Sequence, residues 1–402
     1  MTYKDCFSLI KKYSLLILLW IFLTSTAPWI FYRWPGHPYK ILTFICLVFF
    51  ILLLSIKKNK LAMPRQIIFL LFVQIAFYFL MLIYHSDVAN FNLIVQLISF
   101  LITILYIKYF LGFELFVKSF IYIVLITGIG GVLVFFTHLL IGVTPFFVVS
   151  YGTDNSFFLG LTTTNIFIDV GSIRMMRFAG FFDEPGTFGL YALYAIILNK
   201  VYFKNVKIEF LLILITIFTF SVAFYFAITV YVFFFYFNKK NIGGFFAFFS
   251  ILILFYVILI NFDSPIVDKI NEMSFSRLEE TSTDFSNSNR GELVVNDFKL
   301  FSESPILGVG YSNPKISGSN FFSIFARFGI IGSIFYYLLF IYLFWAIIKI
   351  KSFYYFKFFV VLLISLMHRP EFSSLLSLLI FYCLIYFLEN LKTSKHSYSP
   401  IT

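Results

Sequence analysis

Charge is scarce in this chain. Asp, Glu, Lys and Arg make up 12% of its 402 residues, against about 25% in an ordinary soluble domain. That argues against a conventional water-soluble fold. Cysteine is scarce too. Cys6, Cys46 and Cys383 lie far apart, within or beside apolar runs, and form no metal or redox spacing. No Walker loop, Asp-x-Asp pair, zinc-ligand spacing or Gly-x-Ser-x-Gly elbow is present. Nucleotide-driven chemistry therefore has no support in the sequence, and no metal or cofactor is expected. The apolar runs also lack period-two alternation, which argues against a membrane β-barrel.

What is abundant is apolar side chain, 61% of the residues, in long blocks. This pattern predicts an all-α, polytopic transmembrane protein forming a single integral membrane domain over 1–402. Membrane helices are expected at about 13–32, 39–56, 66–84, 91–110, 117–141 and 187–199. Further ones are expected at about 243–260 and 320–348, with two short segments around His368-Arg369-Pro370-Glu371. Gly128, Gly130 and Gly131 permit close helix contact in the fifth helix. The first apolar run follows Lys4, Lys11 and Lys12 like a signal peptide. However, Pro28 would sit just after the cleavage point and the run continues to Tyr32, so it is read as a retained helix. Two large polar loops are expected, at 142–186 and 261–318.

The block 208–237 decides the topology. As one crossing of about 45 Å it overshoots the roughly 30 Å hydrocarbon core. As a hairpin turning near Ser221 it is short, but the Lys-rich links then all fall on the side of the N-terminus. The hairpin gives about twelve segments, both termini cytoplasmic, and both large loops outside. On this topology 18 of the 22 lysines are inside, while 7 of the 8 arginines are outside or at outer helix ends. The lysines follow the positive-inside rule. The arginines run against it, and guanidinium suits bidentate contact with phosphate or carboxylate. The net charge of +11 would suggest nucleic acid in a soluble protein; in a membrane chain it is the division of the cations between the two faces that informs, and the expected partner is membrane lipid, with no nucleic acid.

Charge gathers in Arg174-Met-Met-Arg177-Phe-Ala-Gly-Phe-Phe-Asp183-Glu184-Pro185-Gly186. Asp183 and Glu184 read equally as a helix start, with acids complementing the dipole and proline in the first turn, or as a general base. Arg174 and Arg177 are anion contacts or partners of those same acids. In the second loop, Arg290 opens a short amphipathic helix, followed by a flexible turn at Gly308-Val309-Gly310. Arg327 lies a turn or two inside its helix, where an arginine either serves function or snorkels. Arg369 lies at an outer turn.

With these residues in place, the chain resembles the bacterial O-antigen polymerase and ligase superfamily. The resemblance rests on Arg177-Phe178-Ala179-Gly180-Phe181-Phe182-Asp183-Glu184-Pro185 in the first loop. In the second it rests on Arg290, Ser304-Pro305-Ile306-Leu307-Gly308-Val309-Gly310, Asn320-Phe321 and Gly329. Ligase relatives usually carry His before that Asn. Here Ser319 stands there, which favours the repeat-unit polymerase branch. The resemblance implies a glycosyltransferase of the bacterial inner membrane that builds O-antigen or a related surface polysaccharide. It would use undecaprenyl-diphosphate-linked oligosaccharide at two large periplasmic loops, with a chain-length regulator protein as partner. Glu184, then Asp183, would be catalytic, and Arg174, Arg177, Arg290, Arg327 and Arg369 would bind diphosphate. The alternatives are a ligase transferring glycan to a lipid acceptor and a lipid-linked oligosaccharide transporter. A transporter places binding groups near the bilayer midplane, whereas here the charges crowd one face.

Overall fold

A computed structural model describes residues 65–237, 290–370 and 374–397, except 152–153, 171–172, 183 and 319, with single positions between 243 and 257. The helices expected at 13–32, 39–56 and 243–260, the residues 261–289, Asp183 and Ser319 lie outside the described residues.

Helix dominates. In chain order it forms α1 (Arg65–His85), α2 (Ala89–Tyr106) and α3 (Phe113–Ile141). After an intervening sheet come α4 (Pro185–Leu198), α5 (Val206–Ile217) and α6 (Val222–Tyr236). Then follow α7 (Arg290–Glu303), α8 (Phe322–Tyr336), α9 (Leu338–Ile350), α10 (Phe353–His368) and α11 (Leu375–Ser397). Among the described residues, four stretches are long and apolar enough to cross a membrane: Arg65–His85, Ala89–Tyr109, Phe113–Ile141 and Phe322–Ile350. Phe69, Phe72, Phe79, Leu80 and Ile83 on α1 are more than half exposed. An apolar face of that size suits lipid rather than water.

Two helices are buried on every side. Residues 191–198 of α4 and 375–385 of α11 are all buried, as expected of helices apolar all round. Tyr191 joins them, its hydroxyl 2.9 Å from Ser374 Oγ and 3.2 Å from Ser377 Oγ. The 208–237 block is two helices. Asn205 caps α5 by accepting from the N–H groups of Lys207 and Ile208, and Ser221 caps α6 by accepting from Phe224 N–H. Each cap satisfies first-turn donors that a helix cannot pair itself.

The all-α expectation needs correction. Within the expected loop 142–186 lies a four-stranded antiparallel meander: β1 (Phe147–Tyr151), β2 (Asp154–Phe158), β3 (Thr163–Val170) and β4 (Ile173–Phe178). Aromatic and β-branched residues favour this pleated surface. The glycines of α3 let it sit close. A Cβ on Gly131 would fall 2.3 Å from the Phe178 ring, and one on Gly130 would fall 3.2 Å from the Leu161 carbonyl oxygen. Gly128 faces Ile215 of α5, so these glycines serve both helix and sheet contact.

The polar ends form two clusters. At one end Asp87 accepts from Ser312 N–H and hydroxyl at 2.7 and 2.6 Å, and His85 Nε2 lies 3.3 Å from Leu307 O. At the other, Lys200 pairs with Glu209 at 3.2 Å, Lys357 donates to Phe234 O at 2.7 Å, and Tyr342 donates to Gln66 and Glu389.

Candidate active site

A cavity of about 360 Å³ opens between the starts of α4 and α6, the end of α10, and the sheet. Its polar wall is built from Asn165, Arg177, Glu184, Ser221, Ser365 and Arg369. Leu190 and Leu193 of α4, Phe224, Phe226 and Ala227 of α6, and Ile364 of α10 make the apolar wall. Phe226 is 62% exposed, so this apolar side reaches the outer surface of the helix bundle. The cavity lining is therefore amphiphilic, combining charged side chains with apolar ones.

Helix length explains its depth. α5, α6 and α10 have 12, 15 and 16 residues, below the roughly 20 that a hydrocarbon core requires. Their cavity-side ends stop short. Gly189, in the second turn of α4, receives the start of α6, since a Cβ there would lie 3.1 Å from Phe224 Cβ. Pro370 accepts from Tyr337, midway along the Phe322–Ile350 span.

Arg177 lies on β4 and is buried. Its Nε donates to Thr219 O at 3.0 Å and Nη2 to Phe220 O at 2.9 Å. Those carbonyls form the α5–α6 turn, where Phe220 has φ of 52°. One guanidinium thus fixes a turn in the left-handed region, which bulky residues seldom adopt. Glu184 precedes α4 in extended conformation, and its side chain makes no cap bond. It forms an ion pair with Arg369 instead. Arg369 follows the last turn of α10, so each charge complements the dipole of the helix it adjoins.

Two helix N-termini face the cavity. Pro185 and Gly186 begin α4, and Val222 and Ala223 begin α6. Pro185 has no N–H and Thr187 N–H donates to Glu184 O, so α4 offers Gly186 N–H; Ser221 takes Phe224 N–H, so α6 offers Val222 and Ala223. These donors and the positive dipole ends, with Arg177 and Arg369 in the same wall, suit an anion beside one carboxylate.

The other expected site residues lie elsewhere. Arg174 and Arg177 are three residues apart on one strand, so they point to opposite faces of the sheet. Arg174 lies against the end of α3, where a Cβ on Gly142 would be 3.2 Å from its Nε. Arg327 lies over the Tyr311 ring, 4.6 Å from the centroid, and neither it nor Arg174 lines the cavity. Arg290 is the first residue of α7. Gly308-Val309-Gly310 is not a flexible turn. Val309 N–H donates to Ala326 O at 2.8 Å and Gly310 N–H to Arg327 O at 3.2 Å, so these donors serve the fold. Asn320 holds buried Asp297, donating to it at 2.6 Å.

Two contributors escape sequence reading. Asn165 is the extra residue of a β-bulge, where the register passes from Thr164↔Phe178 to Ile166↔Arg177. Its Oδ1 is buried with no hydrogen-bond partner among the described residues. The α6 start contributes backbone, which carries no residue signature beyond Ser221. Among the described residues, no group of three or more His, Cys, Asp or Glu could hold a metal ion. The chain matches no protein-family model, and no curated protein matches it significantly.

Proposed function

We propose that this chain is a glycosyltransferase that polymerises repeat units carried on undecaprenyl diphosphate, as the resemblance implies. The observation that carries this reading is the amphiphilic cavity. Arg177, Arg369 and two helix N-termini gather at its charged end, Glu184 lies beside them, and its apolar side is open at Phe226. A polyprenyl diphosphate has that same division, with a multiply charged head on a long apolar tail.

In the proposed reaction an acceptor sugar hydroxyl attacks the anomeric carbon of the donor glycan. The new C–O bond forms as the bond to the diphosphate oxygen breaks. Glu184 takes the hydroxyl proton, and the leaving diphosphate carries away the bond electrons. The arginines and helix N-termini stabilise the charge growing on that diphosphate. The donor already holds the activation energy, so no nucleotide sugar enters. Arg177 also holds the α5–α6 turn, so it supports the site as well as facing it. The proposed setting is the bacterial plasma membrane, with the cavity on the outer side and a chain-length regulator as partner.

The test is a gel of surface glycan from a deletion strain complemented with variants. Arg369→Gln and Glu184→Gln, at normal protein level, should collapse the polymer ladder to a single unit. A hundredfold or greater loss is the scale for removing one charge-stabilising donor. Complete loss of glycan from the acceptor lipid would mark a ligase instead. A full ladder in both variants would remove this cavity from the reaction.

A further inference from the structure

The proposed base and one of the proposed anion contacts neutralise each other. Glu184 and Arg369 form an ion pair at the cavity wall, with side chains 31% and 26% exposed. Neither is deeply buried, so an incoming ligand can reach the pair. An ion pair this exposed is weakly held, because water competes for both partners. A diphosphate brings more negative charge than one carboxylate and can bind guanidinium bidentately. It can also meet the starts of α4 and α6, where the Glu184 side chain makes no cap bond.

We infer that the anionic head of the donor lipid displaces Glu184 from Arg369, and that this exchange releases the carboxylate from that guanidinium for its role as base. This deepens the proposed function and rests on it. Arg369 acts as a positioning residue while it holds Glu184 and as an anion contact once the donor is bound. Glu184 stays at the start of α4 throughout, where the helix dipole favours an anion. Three consequences follow from the geometry. Glu184 competes with the ligand for Arg369, so it weakens donor binding while enabling turnover. The base becomes available only after the donor arrives. The acceptor hydroxyl therefore meets an active carboxylate only in the donor complex, which sets an order of binding with donor first.

The test measures affinity of the purified full-length chain in nanodiscs for undecaprenyl diphosphate, which carries no glycan. Glu184→Gln keeps the shape of the side chain and removes the competing charge. It should bind the probe about 1.5- to fivefold more tightly than the wild type, the size of one exposed ion pair. Arg369→Gln should bind it more weakly. Glu184→Asp, which shortens the reach to Arg369, should fall between wild type and Glu184→Gln. Melting temperatures measured alongside separate a folding defect from a binding effect, and the Glu184→Asp variant supplies a second reading. Equal or weaker binding by Glu184→Gln, at unchanged melting temperature, would overturn the exchange while leaving the anion site in place. Wild-type protein that does not bind the probe at all would overturn the site reading itself.

Discussion

At the scale of single residues, three polar side chains do structural work that their charge alone does not announce. Arg177 gives two donors to the Thr219 and Phe220 carbonyls. Removing it leaves buried acceptors unpaired, which costs about 1–3 kcal/mol each. Asp297 is buried and held by Ser317 and Asn320. Asp87 joins the α1–α2 link to the segment before α8. Burial pushes its carboxyl pKa up, but hydrogen bonds from Ser312 hydroxyl, Ser312 N–H and Ala89 N–H, with the nearby charge of His85, outweigh this and hold it below the usual value. A depressed carboxyl adds stability above its unfolded pKa of about 3.9 and loses it as pH falls through the lower folded pKa. Asp87→Asn should therefore melt below the wild type at neutral pH. The gap should close as pH drops below about 4, and a pH series of melting curves on the purified protein checks this. A constant gap across that range would deny the carboxylate this role.

At the scale of elements, the helices and the sheet differed in legibility for physical reasons. Solid apolar runs and lysine-marked links showed α1, α2, α3 and the α5–α6 hairpin, because a long lipid-facing helix writes its whole length in side chains. The sheet is written in short strands. Ile166 and Ile168 alternate with Asn165 and Asp169, but the bulge at Asn165 interrupts the period. The crossing of the 304–310 segment with α8 was equally hidden, because it is a backbone contact. A Cβ on Gly308 would fall 2.4 Å from Arg327 backbone, and one on Gly329 would fall 2.3 Å from Ile306 backbone. Both glycines have positive φ. Gly308→Ala and Gly329→Ala should each cost on the order of 2–4 kcal/mol, as overpacking and backbone strain add. Gly112 also has positive φ, but a Cβ there would meet nothing within 4 Å. Gly112→Ala should cost only about 1–2 kcal/mol. Melting temperatures of the three variants in one detergent check the order, and equal losses would contradict the close crossing.

At the scale of the whole molecule, the candidate site is assembled from residues far apart in the chain. Arg177 and Glu184 stood out in the sequence because charge is scarce there. Arg369 also stood out, but no spacing joins residue 369 to residue 184. Only the packing of α10 against α4 and α6 brings them together. Arg174, close to Arg177 in sequence, is separated from it by the alternation of a strand. The central claim is that the cavity holding Arg177, Glu184 and Arg369 transfers glycan from a polyprenyl diphosphate. The most direct test gives purified full-length protein a synthetic undecaprenyl-diphosphate-linked repeat unit and follows both glycan length and released undecaprenyl diphosphate. The wild type should give a ladder of products with matching release, and Arg369→Gln should leave the single unit unconverted. A wild type that yields no product longer than one unit, or an Arg369→Gln variant that yields the full ladder, would contradict the account.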